Sequence, residues 1–500
     1  MEIKDLKPRL YQESIFNTAA KSNTLVVLPT GLGKTVIAIM LAIHRLNQFS
    51  QSKVVFLAPT KPLCNQHIET FKKHLITNQN FEVLTGGISP EKRKELWETS
   101  QIVFATPQTI ANDINKGKIS LEKVSLLIVD EAHRAIGDYD YVSIAKNYMQ
   151  IANNPRILAL TASPGSEKEK IEQIRKNLFI ESIEIRNEDS EDVITYVQPK
   201  EIEKIEVEPL PQIKEISELI QKALQNRLNL LKAQGLIYNA KKIRKSDLIE
   251  LQAKLTSQLK DNNYTIFSSI SSIAACIKLS YALEILETQG INPFFEFIEN
   301  LKEQAKKTRA AKSILKDINF LNAIKIAENL NSSHIEHPKM EVLKNLIVNN
   351  SNQKIIVFTQ YRNTADAILQ KLSNLKGIAP VKFIGQKSGL SQKKQIEIIK
   401  AFKEGEYNVL IATSIAEEGL HIENADIGIF FEPVPSALRS IQRKGRVGRT
   451  HIGKIYILVT KDTIDEKYYW VAYHKEKRMK KLINNIKNEI ENSQKRIIGF

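Results

Sequence analysis

Pro29-Thr30-Gly31-Leu32-Gly33-Lys34-Thr35 closes the apolar run Thr24-Leu25-Val26-Val27-Leu28 and opens the apolar-periodic segment Val36-Ile37-Ala38-Ile39-Met40-Leu41. Strand, glycine loop and helix, in that order, make a phosphate cradle. Gly31 and Gly33 let the backbone turn with its N–H groups facing inward, and the helix N-terminus adds its positive end. A polyphosphate then sits there with few charged side chains. In this reading Pro29, Thr30, Gly31, Leu32 and Gly33 form the cradle, Lys34 reaches the β- and γ-phosphates, and Thr35 holds Mg²⁺. The strict G-x-x-x-x-G-K-[ST] pattern has Gly where this chain has Leu28. An ordinary glycine turn before a helix is therefore the competing reading, and a second motif must decide between them.

That motif is Leu126-Leu127-Ile128-Val129-Asp130-Glu131-Ala132-His133. An apolar run ending in acid is how a buried parallel strand delivers a carboxylate to the C-terminal edge of a sheet, where ligands of open α/β folds bind. Asp130 is the candidate second ligand of Mg²⁺, and Glu131 the group that orients or deprotonates an attacking water. Either carboxylate alone would read as a solvated turn. The pair, with the loop at Lys34, reads as a site that hydrolyses a nucleoside triphosphate, with ATP and Mg²⁺ as the implied cofactors.

The chain of 500 residues suggests roughly three domains. With 42% apolar and 26% charged residues, it reads as globular throughout. No apolar run approaches the roughly 20 residues that span a bilayer, and the N-terminus lacks an apolar signal core, so the expected location is cytoplasmic, at the nucleoid. Cys64 and Cys276, the only cysteines, exclude a disulfide framework or a cysteine metal cluster and read as buried thiols. The balance of 72 Lys+Arg against 56 Asp+Glu leaves +16. This points to a polyanionic partner.

Ahead of the first strand, Tyr11 and Gln12 form an aromatic–amide pair able to stack on and hydrogen-bond an adenine. After the phosphate loop, apolar runs recur from Val54, Ile102, Leu126 and Ile157, separated by helix-period or charged segments. Such alternation predicts a parallel sheet with helices on both faces. The runs end in Pro59-Thr60-Lys61, Thr106-Pro107-Gln108 and Thr161-Ala162-Ser163. Thr60, Lys61, Gly86-Gly87 and Thr106 offer short donors and open backbone that suit the phosphate oxygens of a polymer.

From about residue 195 the texture becomes helical. Ile216, Leu219, Ile220, Leu224, Leu228 and Leu231 follow helical spacing, Gly235 reads as a helix stop, and Asp247 with Glu250 as a capping box. Two basic clusters, Lys241-Lys242-Ile243-Arg244-Lys245 and Lys302, Lys306, Lys307, Arg309, Lys312 and Lys316, read equally as a phosphate grip or as solvated helix faces. A second alternating region begins near 338, with strands starting near Lys354, Val381, Val409, Ile427 and Lys454. It carries no phosphate loop. Instead it has Gln442-Arg443-Lys444-Gly445-Arg446-Val447-Gly448-Arg449, a cluster that repels itself unless an anion is near. Facing the first sheet, Arg446 and Arg449 would serve as arginine fingers.

Taken together, these motifs, with Thr413-Ser414 and Glu418-Gly419-Leu420, resemble a superfamily 2 helicase of the DEAH type. Phe431-Glu432-Pro433-Val434-Pro435-Ser436, Arg439-Ser440-Ile441-Gln442 and Asp465-Glu466-Lys467-Tyr468-Tyr469-Trp470 resemble, more narrowly, the family of archaeal Hef and the Fanconi anaemia M translocase. His421 stands where relatives carry Asp. The resemblance implies an α/β fold of two RecA-like parallel-sheet domains with an all-helical insert between them. The division is 1–195, 196–335 and 336–470, followed by a basic C-terminal helix over 471–500. It implies an ATP-driven motor on forked or four-way-junction DNA, with Thr60, Lys61, Thr106, Gln360, Arg362 and Thr413 on the polymer and Gln442 and His133 relaying between phosphate and polymer. Many Hef proteins continue into a nuclease whose Glu-Arg-Lys…Asp signature is not found in this sequence, so no cleavage is expected. A double-stranded-RNA-stimulated ATPase and an ATP-gated nucleic-acid clamp are the alternatives.

Overall fold

The computed structural model describes residues 2–76, 80–165, 167–197, 200–240, 243–258, 264–332, 335–385, 391–413, 425–436, 443–444 and 453–498. In chain order the strands are β1 (Glu2–Ile3), β2 (Thr24–Val27), β3 (Lys53–Leu57), β4 (Leu75–Ile76), β5 (Phe81–Leu84), β6 (Ile102–Ala105), β7 (Val124–Val129), β8 (Ile157–Thr161) and β9 (Ser182–Ile185). After them come β10 (Lys200–Val207), β11 (Ile355–Phe358), β12 (Pro380–Phe383), β13 (Val409–Ala412), β14 (Ile427–Phe430) and β15 (Gly453–Thr460). β1 and β4 form a small antiparallel pair.

The first large sheet runs β5-β6-β3-β7-β8-β2-β9, every pair parallel. Its central strands are apolar on both faces because helices cover both. Val55, Val103, Leu127 and Val129 face one core; Val54, Phe56, Phe104, Leu126 and Ile128 face the other. Each such buried side chain is worth roughly 1.5–3 kcal/mol. The second sheet runs β10-β15-β14-β11-β13-β12, again parallel throughout.

Between β10 and β11 lies a helical bundle built from Pro211–Ala233, Lys245–Ser257, Tyr264–Gln289, Ile291–Ala305, Arg309–Ile314 and Ile318–Ser332. Gly235, at φ +72, follows the first of these helices, as the sequence anticipates. The cap at 244–247 differs from expectation. Asp247 reaches back to the N–H of Arg244 (3.1 Å), so it caps from inside the first turn and Glu250 takes no part in the cap.

Three expectations are corrected by the fold. Residues 200–207, assigned to the helical insert, form β10 and pair with β15 over their full length; an edge strand contributed from far away in sequence has no local signature. The last helix begins at Ile464 and runs to Ile498, so the division at 470/471 cuts through it. Finally, the stretch Ile266–Gln289 is long and apolar enough to cross a bilayer (mean hydropathy 1.5). In this fold Ala275, Leu279, Ala282 and Leu286 pack in the bundle core instead.

Where bundle, second sheet and last helix meet, charges are fully buried. Lys339 pairs with Asp465, which also accepts from Thr460 N and Oγ1 (3.2 and 3.1 Å). Glu287 Oε2, from the bundle, accepts the N–H of Ile464 (2.7 Å). Glu432 accepts from the N–H of Gln360, and its carbonyl accepts from Arg443 (3.4 Å). Burial pushes the Glu432 carboxyl up to about 7, against the pull of Arg443 and Lys339. A carboxyl raised in this way is most favourable to folding below pH 4.5 and loses that advantage as pH climbs through about 7. Glu432→Gln, which cannot ionise, is therefore expected to gain on the wild type by up to about 3 kcal/mol between pH 5 and pH 8. Thermal melts of both proteins at the two pH values check this; a difference that does not change with pH would overturn it.

Candidate active site

Gly31 and Gly33 adopt φ +88 and +76, the left-handed conformation that their loop requires. At Gly33 a Cβ would also lie 2.5 Å from Gln12 Nε2, so the Gln12 amide would have to leave its place against the loop. The loop is held from beneath. Tyr11 OH and Gln12 Nε2 both donate to the carbonyl of Leu32 (2.7 and 3.1 Å), and Gln12 Oε1 accepts the N–H of Arg9 (2.9 Å). Tyr11 is fully buried. It thus buttresses the cradle and has no open face for a base, and both ends of the Gln12 amide are engaged in the same way. Pro29, Thr30 and Thr35 are half-buried around the loop, and the helix Lys34–Gln48 starts at its end. Lys34 Nζ donates to the carbonyl of Leu28 (2.8 Å).

β2 and β7 are separated in the sheet by β8 alone, so the cradle after β2 and the acids after β7 open on the same edge. Asp130 is 6% exposed. Burial raises its carboxyl, but the hydrogen bond and charge of His67 and the charge of Lys34 more than offset this, leaving it below the usual range. Asp130 is thus held as a carboxylate with a cation near it. Glu131 has φ +50, a left-handed residue with a side chain, which costs about 1–3 kcal/mol and marks a site where function outweighs local comfort. His133 Nδ1 lies 3.3 Å from Glu131 Oε2 and 3.2 Å from Thr161 Oγ1. Thr161 in turn accepts from the N–H of Ser163 (3.1 Å). The acid motif is therefore tied to the end of the neighbouring strand β8.

His67 went unread in the sequence. Its Nε2 sits 3.0 Å from Asp130 Oδ2, and its ring lies 4.2 Å from that of Phe56. The signal was present but ambiguous: in the helix Lys61–His74, Cys64, His67, Ile68 and Phe71 share the buried face, where a histidine reads as core. Cys64 is buried beside it, and burial pushes its thiol up to about 12, so it is an inert thiol, as is Cys276 at about 11. The residues present fit a magnesium nucleotide. They offer a glycine cradle, a lysine at its rim, a hydroxyl at the first helical turn and an ionised aspartate whose second oxygen is turned to His67.

Farther along the same edge, β5, β6 and β3 are neighbours. Thr60 and Thr106 stand side by side as the N-caps of the helices Lys61–His74 and Pro107–Asn115, with Lys61 exposed and Gly86-Gly87 open on the loop after β5. Thr60 Oγ1 is buried without a hydrogen-bond partner. On the second sheet, Gln360 follows β11, Arg362 starts the helix Arg362–Leu372, and Thr413 follows β13 beside them. Arg362 also lines a cleft of about 590 Å³ shared with Lys245 and Lys278 of the bundle. Four members of the basic clusters of the bundle are matched by acids. Arg244 pairs with Asp247, Lys245 with Glu284, Lys302 with Glu299 and Lys306 with Glu303.

In the arginine cluster, Arg443 is fully buried with its guanidinium over the rings of Phe358 and Phe430 (5.6 and 5.5 Å), a structural role. Gln442, Arg446 and Arg449 lie outside the described residues, as does His421.

Comparison with known proteins bears on this arrangement. Family profiles for the DEAD/DEAH box helicase and the helicase conserved C-terminal domain match residues 9–171 and 338–451, and a helical-bundle profile named for an ATP-dependent RNA helicase matches 212–334. A relative from Methanocaldococcus jannaschii, provisionally named ATP-dependent RNA helicase MJ1505, is 42% identical over 97% of this chain and 61% of its own length. The ATP-dependent DNA helicase fml1 of Schizosaccharomyces pombe is 34% identical over 92% of this chain and 58% of its own. The chain thus spans about three fifths of these two relatives. The crystal structure of the Pyrococcus furiosus Hef helicase domain is 42% identical, with a TM-score of 0.70, over 93% of this chain and 98% of that one. Two RecA-like domains with a helical bundle between them, and this degree of likeness to the Hef domain, lead to one conclusion: the chain belongs to the superfamily 2 ATP-dependent helicases, in the Hef family.

Proposed function

We propose that this chain hydrolyses ATP between its two RecA-like domains and uses the closing and opening of that interface to move along and remodel branched DNA. The observation that carries the reading is the convergence, on one sheet edge, of the glycine cradle, Lys34, the ionised Asp130 and Glu131, with the last linked through His133 to β8.

In this mechanism the backbone of 29–33 and Lys34 bind the phosphates, while Thr35 and Asp130 hold the metal. A magnesium ion held by these two side chains would supply neutralising charge for the phosphates. Glu131 orients the attacking water and takes its proton. Arg446 and Arg449 enter from the second domain only on closure, so hydrolysis is coupled to motion. Thr60, Lys61 and Thr106 on one domain, and Gln360, Arg362 and Thr413 on the other, grip phosphates of the polymer. His133 relays the state of Glu131 to Thr161.

His67 orients Asp130 from behind, as outer-shell partners of metal ligands do. His67→Ala is expected to raise the Mg²⁺ concentration for half-maximal ATP hydrolysis by about tenfold or more. His67→Gln, which keeps a donor, should retain most of the wild-type affinity. A Mg²⁺ titration of both variants checks this, and an unchanged titration for His67→Ala would remove His67 from the site.

The test of the function is the steady-state ATPase rate with no nucleic acid, single-stranded DNA, linear duplex, a three-way fork and an RNA duplex, at one salt concentration because phosphate contacts are salt-dependent. Strongest stimulation by the fork is the expected outcome. One observation favours a second reading: the Methanocaldococcus relative and the helical-bundle profile both carry RNA-helicase names. Equal or greater stimulation by the RNA duplex would leave the ATP site standing and move the substrate to RNA.

A further inference from the structure

The turn after β5 carries two glycines that the fold itself does not ask for. Thr85-Gly86-Gly87-Ile88 is closed by the N–H of Ile88 on the carbonyl of Thr85 (3.1 Å), with both glycines exposed. Unlike Gly31 and Gly33, neither has a φ in the left-handed region, and a Cβ on either would meet nothing within 4 Å. Backbone geometry and packing inside the chain would both admit a side chain there. What the pair leaves instead is bare backbone, open to close approach from outside.

Beneath this turn sits a buried ion pair. Arg93 is 7% exposed and Asp113 1%. Arg93 Nε and Nη2 donate to Asp113 Oδ2 and Oδ1 (2.6 Å each), and its remaining nitrogen, Nη1, donates to the carbonyl of Ile88. Arg93 belongs to the helix Pro90–Thr99, and Asp113 to the helix Pro107–Asn115, whose N-cap is Thr106. One guanidinium therefore spans the glycine turn and the helix that begins at Thr106. The two helices have other fastenings: Trp97 and Ile110 share the core of the first domain, and Lys118 pairs with Glu91 at the surface (3.0 Å). Nor is a buried ion pair an efficient source of stability, since apolar residues of similar volume often do as well. Holding the Ile88 carbonyl is what an apolar pair could not do.

We infer that Arg93 and Asp113 are positioning residues for the polymer grip, fixing the Gly86-Gly87 turn against Thr106 so that both meet phosphates of one strand. The inference rests on the reading of this sheet edge as the nucleic-acid side. Arg93 is neutralised by Asp113 and turned inward, so it acts on the polymer through the turn and touches no phosphate itself.

Arg93→Lys keeps the charge and loses the planar fork that reaches all three acceptors. It is expected to raise the concentration of single-stranded DNA for half-maximal ATPase stimulation about tenfold, with basal hydrolysis, KM for ATP and kcat at saturating DNA within about twofold of wild type. The salt dependence of binding, read from the anisotropy of a labelled strand, should keep its wild-type slope, whereas loss of a direct phosphate contact would lower that slope by about one. Gly86→Leu tests the turn without touching the ion pair: its Cβ enters open space, so the melting temperature should hold while the DNA requirement rises by a similar factor. In the double variant the two effects should fall short of multiplying, because both act on one turn. An unchanged DNA requirement in either single variant, an Arg93→Lys loss shared equally by basal hydrolysis, a lowered salt slope, or effects that multiply would each overturn the positioning role and leave the ATPase reading intact. A wild type whose hydrolysis no nucleic acid stimulates would instead overturn the proposed function.

Discussion

Glu131→Gln is expected to bind ATP normally and hydrolyse it 10²–10⁴-fold more slowly, the range that a positioned general base supplies. The substitution is nearly isosteric, so the left-handed backbone at φ +50 and the link to His133 survive. What is lost is the negative charge that orients a water and accepts its proton. Asp130, held ionised beside His67 and Lys34, is untouched, so nucleotide and metal affinity stay within a few fold. Single-turnover hydrolysis beside fluorescent-nucleotide binding separates the two effects. This variant also discriminates the motor from the clamp: a clamp needs no water activator, and a Glu131→Gln protein that remodelled forks at the full rate would end the motor reading.

Arg449→Ala is expected to cost about 10³–10⁵ in stimulated turnover, as removal of an arginine finger does elsewhere, and Arg446→Ala an effect of the same kind. The fold uses the first two basic members of the cluster structurally: Arg443 against Phe358 and Phe430, and Lys444 with Glu476. Arg446 and Arg449, outside the described residues, are the two that the proposed mechanism brings to the phosphates. Basal hydrolysis without nucleic acid, which does not depend on closure to the same degree, should fall less than stimulated hydrolysis. Equal losses in both would place the arginines in nucleotide binding, outside the closure step.

Much of this architecture was legible in local sequence. Runs such as Val54-Val55-Phe56-Leu57 and Leu126-Leu127-Ile128-Val129 can only be strands covered on both faces, and each ends in the residues that line the edge of the sheet. The cradle at 29–35 was readable because its glycines are demanded by backbone geometry, which leaves a mark in sequence. Tyr11 and Gln12 read in the sequence as a pair for an adenine, and in the structure both donate to the Leu32 carbonyl from below. The pattern identified the residues; only their depth decided what they do. The basic clusters of the bundle read equally as a grip for an anion or as solvated helix faces; for Lys302 and Lys306 helical spacing places Glu299 and Glu303 where they meet them on an exposed face.

What the sequence determined by itself is the order of elements, the parallel sheets, the helical bundle and the chemistry carried by each loop, because periodicity, glycine and acid placement act over a few residues. Only the tertiary structure decided which distant segments meet. β10 joins β15 from 253 residues away, as the Glu208–Lys461 pair beside them marks. His67 reaches Asp130 across 63 residues, and Met479 reaches Ser163 across 316. The physical reason is that a buried histidine, an edge strand and a core methionine satisfy the same local pattern wherever they dock. Their partners are chosen by packing and burial of the whole chain, which no window of neighbouring residues contains.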